Sequence, residues 1–158
     1  MKKRYFPMFV DISEEKIVVI GGGTIGKRRL KTLLEFTEQV TLIDPEPDQE
    51  IMELAGQGRV ELIKDIYRKE YVLDADMVVS ATNSREVNQQ VKDDCCQIEA
   101  ESGKKILVNI SDKRELNDFY FPGIVIAEDI VVGINSGGAS PKLVKETRNK
   151  LESVLNGE

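Results

Sequence analysis

The sequence predicts a doubly wound α/β domain followed by a small domain of one β-hairpin and one helix. Three observations carry that prediction. Apolar, β-branched runs alternate with segments of helical spacing; glycines cluster where the first such run meets the first helix; and the alternation stops after about residue 113. The boundaries read from this pattern are 1–113 for the first domain and 114–158 for the second.

The first strand is KIVVIGGG, residues 16–23, a continuous apolar run closed by glycines, as expected of a strand covered on both faces of a parallel sheet. TIGKRRLKTLLEF follows, with Ile25, Leu30, Leu33 and Leu34 at helical spacing. VTLID (40–44) repeats the strand, and Ile51, Met52, Leu54 and Ala55 mark a short helix ending near Gly56 and Gly58. VELI (60–63) is a third strand. DMVVSAT (76–82) is a second central strand, and a helix runs from about Arg85 to Ser102, stopping at Gly103. KILVNI (105–110) closes the series. In FYFPGIVIAEDIVVGINS (119–136), two β-branched runs flank Glu128 and Asp129, which signals a hairpin. A last helix begins with Ser140 as N-cap and Pro141 in its first turn, with Leu143, Val144, Leu151, Val154 and Leu155 as its apolar positions. A lone hairpin and helix bury too little apolar surface by themselves, so this second domain is expected to pack on a second copy in a symmetric homodimer.

Composition narrows the chemistry. Acidic residues outnumber basic ones, 28 to 22, which argues against a nucleic-acid partner. No apolar run has the length of a membrane span, and the basic start MKKRYFPMFVDIS lacks the apolar core of a secretory signal, so a cytoplasmic protein is expected. With no histidine, Ser-His-Asp and Cys-His catalysis and His-ligated zinc are excluded. Cys95 and Cys96 are adjacent, matching neither a zinc-ligand spacing nor a redox pair, and no metal ligand set is expected. Proton transfer therefore falls to carboxylates, lysine, tyrosine or water.

Gly21-Gly22-Gly23-Thr24-Ile25-Gly26 fits G-x-G-x-x-G at a strand-to-helix junction. Gly21 permits the tight turn, Gly23 lets a pyrophosphate approach the backbone, and Gly26 allows close helix packing, while the helix N-terminus at Thr24 and Ile25 offers N–H groups and partial positive charge. Asp44 ends the second strand eighteen residues past Gly26, where a carboxylate bonds ribose hydroxyls and repels a 2′-phosphate. Glu46 can share that role, with Pro45 lining the adenosine pocket. Strand, turn, helix and acid together define a Rossmann-type site with NAD favoured over NADP. By the same topology Thr82 and Asn83 fall beside the nicotinamide half, although helix capping competes for both.

The segments VVIGGGTIGKRRLKTLL, VVSATNSREVN, ILVNISDKRELNDFYFPGIV and INSGGASPKLVKETRNKLE, in that order, resemble the precorrin-2 dehydrogenase family of sirohaem synthesis. The most specific pieces are A-T-N-x-x-x-x-N at Ala81 to Asn88, V-N-x-x-D at Val108 to Asp112, the Phe119 to Pro122 stretch, and S-G-G-A-S-P at Ser136 to Pro141. The resemblance implies oxidation of precorrin-2 to sirohydrochlorin with NAD⁺ as hydride acceptor. It also implies iron insertion into the product in some members, and a homodimer whose cleft joins the two domains. The family's essential aspartate falls on Asp112, which would take up a proton. The residues themselves put Asp112 just past the carboxyl end of a strand, where open α/β sheets bind ligands, with a turn or helix cap as the competing reading for Ser111 and Asp112. The substrate's many carboxylates call for cations and N–H donors, which Lys113, Arg114 and the Ser136-Gly137-Gly138 loop before the last helix can supply; a flexible turn is the plainer reading of that loop. Two departures stand out. Family members commonly carry a small non-glycine residue where Gly26 stands, and many continue well past the point matching Glu158, into further helices or a methyltransferase domain, so methyltransferase activity is not expected. A sirohydrochlorin chelatase and a non-catalytic NAD- or tetrapyrrole-binding module are the alternatives.

Overall fold

The computed structural model describes residues 4–157. They divide into two compact units, one of residues 11–119 and one joining the segment that ends at Val10 to the residues from Tyr120 onward.

The first unit is built on a five-stranded parallel sheet of β1 (Ile17–Ile20), β2 (Val40–Ile43), β3 (Glu61–Ile63), β4 (Met77–Ser80) and β5 (Leu107–Ile110), in the order β3-β2-β1-β4-β5. Every residue of β1 and β4 is buried, which is why these two runs carry no polar alternation. Helices α1 (Thr24–Leu33), α2 (Gln49–Gly56) and α3 (Arg85–Ser102) link successive strands. All the predicted strands and helices form, with ends trimmed by up to three residues. Two short 3₁₀ turns, Lys69–Val72 and Arg114–Leu116, have no signature in the apolar pattern.

Helix ends follow local chemistry. The Asp48 side chain accepts from Ile51 N at 3.0 Å to start α2, and the Ser84 side chain accepts from Val87 N to start α3, so neither Thr82 nor Asn83 is the cap. Gly103 ends α3 at φ +74°, a left-handed conformation that glycine adopts without Cβ strain. Lys27 and Lys31 of α1 pair with Asp48 and Glu50 across to α2. Cys95 sits in the core among Val91, Ile98 and Ile106, and burial pushes its thiol up to about 12, leaving it unreactive; Cys96 is exposed.

The outer edge of β5 is held by side chains rather than by a sixth strand. The N–H groups of Ile106, Val108 and Ile110 donate to Glu99 Oε1 (2.7 Å), Asp118 Oδ2 (2.9 Å) and Asn117 Oδ1 (2.5 Å), and Asp118 N returns a bond to Val108 O at 2.9 Å. Burial works against the charge on Asp118, but the Val108 N–H, Lys92 and Lys105 together hold its carboxyl below the usual range.

The second unit contains β6 (Gly123–Ala127) and β7 (Ile130–Ile134), antiparallel with Ala127 opposite Ile130, and α4 (Pro141–Leu155). Ser140 caps α4 by accepting from Leu143 N at 3.2 Å, and Pro141 begins it, both as predicted. The apolar stripe of α4 is only partly covered: Val144, Leu151 and Leu155 are half-buried, while Leu143 and Val154 are exposed. No described helix is long and apolar enough to cross a membrane.

Candidate active site

The order of the sheet places a switch point between β1 and β4, whose connections leave in opposite directions. Ile20 and Ser80 are register partners, so the glycine turn after β1 and the Ala81–Asn83 loop after β4 leave the sheet side by side. Gly21 has φ +90°, and a Cβ there would lie 2.8 Å from Ala81 O, so the turn tolerates only glycine. A Cβ on Gly26 would come within 1.8 Å of Gly21 O, which makes Gly26 the residue that lets α1 close against the turn in this chain.

Gly23 differs from both. Nothing lies within 4 Å of the Cβ it lacks, so the space over it is open. It is the N-cap of α1 without a side-chain cap bond, and the first turn of α1 carries no acid, so the helix end keeps its partial positive charge. Ile25, an apolar position at helical spacing and a predicted cofactor-binding residue, is exposed at this mouth, because a residue in the first turn of a helix that starts at the sheet edge projects beyond the core. The open cradle and uncompensated N–H groups fit the pyrophosphate of a dinucleotide.

Asp44 follows β2 and turns back to the glycine loop: its Oδ2 accepts from Gly22 N at 2.5 Å and its Oδ1 from Glu46 N at 2.8 Å. Its carboxylate thus lies beside the turn, where a ribose edge belongs. Pro45 and Glu46 are exposed next to it, and Asn83 is exposed beyond β4.

Asp112 is exposed two residues past β5, and its Oδ1 accepts from Asn88 Nδ2 at 3.0 Å. It caps no helix: the 3₁₀ turn behind it begins at Lys113 without a side-chain cap bond. Lys113 donates to Gln89 Oε1 at 2.9 Å, and Arg114 is exposed at the start of the turn. Pattern reading named Asn88 as part of a motif but not as a site residue. It is 1% exposed, and its Oδ1 accepts from Ser80 Oγ (2.7 Å) and Thr82 Oγ1 (2.8 Å). The sequence signal was a polar residue on the inner face of α3, one turn from the cap.

Ser136, Gly137 and Gly138 belong to the second unit, in the loop between β7 and α4. Ser136 Oγ accepts from Ser140 N at 3.1 Å, Gly137 N donates to Asn135 Oδ1 at 2.8 Å, and both glycines have positive φ (64° and 75°). Consecutive left-handed glycines shape a turn that other residues strain to adopt.

The switch-point cradle, the glycine turn and the acid after β2 define a dinucleotide-binding α/β domain, and NAD is the cofactor such a domain holds. A family profile described as "Putative NAD(P)-binding" matches residues 8–123. The precorrin-2 dehydrogenase of Bacillus subtilis is 30% identical over 96% of this chain and 90% of that protein. The chain belongs to the precorrin-2 dehydrogenase family. It is also 31% identical to the siroheme synthase of Pseudoalteromonas translucida and 36% identical to that of Mannheimia succiniciproducens, spanning only 31% and 30% of their lengths. The solved structure of SirC, precorrin-2 dehydrogenase, has the same fold, with a TM-score of 0.75 at 24% identity over 96% of this chain and 74% of that one.

Proposed function

We propose that the chain oxidises precorrin-2 to sirohydrochlorin in siroheme synthesis, with NAD⁺ as acceptor. The observation that carries this reading is the exposed carboxylate of Asp112 at the same sheet edge as the open glycine cradle. The reaction removes a hydride and a proton from the macrocycle; bound NAD⁺ accepts the hydride, and Asp112 takes the proton. The backbone of Gly21, Gly23, Thr24, Ile25 and Gly26 binds the pyrophosphate. Asp44, with Pro45 and Glu46, takes the adenosine ribose and disfavours a 2′-phosphate. Thr82 and Asn83 flank the nicotinamide half. We assign substrate carboxylates to Lys113 and Arg114, and, in the Ser136-Gly137-Gly138 loop, to the Ser136 hydroxyl, which accepts from Ser140 N and keeps its own hydrogen to donate.

We assign NAD binding to 1–113 and self-association as a homodimer to 114–158, as the sequence divides them, except that the segment before Asp11 goes with the second unit and residues 114–119 with the first. The exposed Phe6, Met8, Phe9, Ile130, Leu143 and Val154 of the second unit support a second copy as partner, because a free surface rarely carries so many large apolar side chains. We place the enzyme in the cytoplasm on its composition.

Anaerobic incubation of the chain with precorrin-2 and NAD⁺ tests the reading, with NADH and the sirohydrochlorin spectrum followed together. NADH formation is expected, and Asp112→Ala is expected to lose most of it; no NADH from the wild type overturns the assignment. Adding Fe²⁺ to preformed sirohydrochlorin in the same vessel tests iron insertion as a second activity, for which Asp112 is the available base.

A further inference from the structure

Asn88 uses every hydrogen-bonding position it has. Its Oδ1 accepts from Ser80 Oγ at 2.7 Å, from Thr82 Oγ1 at 2.8 Å and from Thr82 N at 3.3 Å; its Nδ2 donates to Thr82 O at 3.2 Å and to Asp112 Oδ1 at 3.0 Å. The Thr82 N–H can only donate, so the amide cannot flip without setting two donors against each other. A buried side chain in one orientation, tied to the end of β4 on one side and to Asp112 on the other, is a fixed spacer.

We propose that Asn88 is a positioning residue: it registers the Asp112 carboxylate against the β4 loop that flanks the nicotinamide half of the site. It holds one oxygen of Asp112 and leaves the other for the proton. The Thr82 hydroxyl has one hydrogen for two acceptors, Asn88 Oδ1 at 2.8 Å and Ser84 O at 3.0 Å, and the shorter contact is the one to Asn88. A shift of about 1 Å in a reacting group lowers a rate by as much as about a hundredfold, which is the scale of effect such a spacer controls. The proposal rests on Asp112 being the proton acceptor.

Asn88→Asp is the informative variant. It keeps an oxygen facing Ser80 and Thr82 and replaces the amide donor, which faces both Asp112 Oδ1 and Thr82 O. Expected results are a folded protein, NAD⁺ affinity within about threefold of wild type, and a kcat lower by roughly tenfold or more with KM for precorrin-2 changed little. In an Asp112→Ala background the same substitution is expected to change the residual rate less than about twofold, because a positioning residue has nothing left to position. The Asn88 side-chain ¹⁵N signal, in protein without dinucleotide, is expected to move on Asp112→Ala. Wild-type kcat in Asn88→Asp, the same fold loss in both backgrounds, or an unmoved ¹⁵N signal overturns the proposal. A wild type that makes no NADH overturns the dehydrogenase reading instead.

Discussion

The two units of this chain solve the problem of burial differently. In residues 11–119 the central strands are covered on both faces, and Val19, Leu30, Leu42, Val78 and Ile110 are sealed from water. In the unit that begins again at Tyr120, Val125 is the only apolar side chain among the described residues that is fully buried, while both ends of the α4 stripe face outward. The first unit completes its own core. The second has the secondary structure of a domain but leaves much of its apolar surface uncovered, so its stability depends on what covers it.

The sharpest way to break this contrast is in the first core. Leu42→Ala is expected to cost about 2–5 kcal/mol, the usual loss for an enclosed leucine, measured by denaturant unfolding. Leu143→Ala, on the exposed stripe, is expected to fall within about 0.5 kcal/mol in the separated chain. Equal losses would mean that Leu143 is enclosed as fully as Leu42.

Next in size is the side-chain edge of β5. Asp118→Ala leaves the Val108 N–H without its acceptor and is expected to cost about 1–3 kcal/mol. The pH dependence has a definite sign. Asp118 has a folded-state pKa below its unfolded value of about 3.9, so its contribution is complete above that value and is lost as pH falls through the folded one. Wild type is therefore expected to lose stability steeply below about pH 4, and Asp118→Asn to show a shallower slope there in acid titrations followed by circular dichroism.

Asp44→Ala is expected to weaken NAD⁺ binding by roughly tenfold, the scale of one charge-assisted hydrogen bond, and NADP⁺ binding by less. Titration calorimetry with both dinucleotides checks this, and equal losses would remove Asp44 from the ribose. The smallest effect on folding belongs to Val154→Glu. It is expected to leave the unfolding of the first unit unchanged while shifting sedimentation from dimer to monomer; an unshifted boundary would remove α4 from the contact.

What could be read from the sequence follows the same division. Strands covered on both faces and helices with short polar caps write themselves into local pattern, so β1 through α3 and the glycine turn were legible in order. Ser84 as cap was not distinguished from Thr82 and Asn83, because three neighbouring polar residues offer the same local chemistry. Ile25 had helical spacing, but spacing does not reveal where a helix leaves the sheet. Asn88, Asn117 and Asp118 were hidden for a different reason: their partners are set by the packing of α3 and the last loop against β5, a contact between segments that no local period encodes.

The clasp on β5 has a consequence for assembly. An open strand edge is a template on which any extended chain can add itself, and parallel sheets of apolar strands are exposed to this during folding. Here every second amide along the β5 edge, from Ile106 to Ile110, is already taken by Glu99, Asn117 or Asp118, two of them charged, so this edge is sealed against augmentation. Strand addition at this edge of the sheet is thereby blocked, and the exposed apolar side chains of the second unit are left for a different kind of contact.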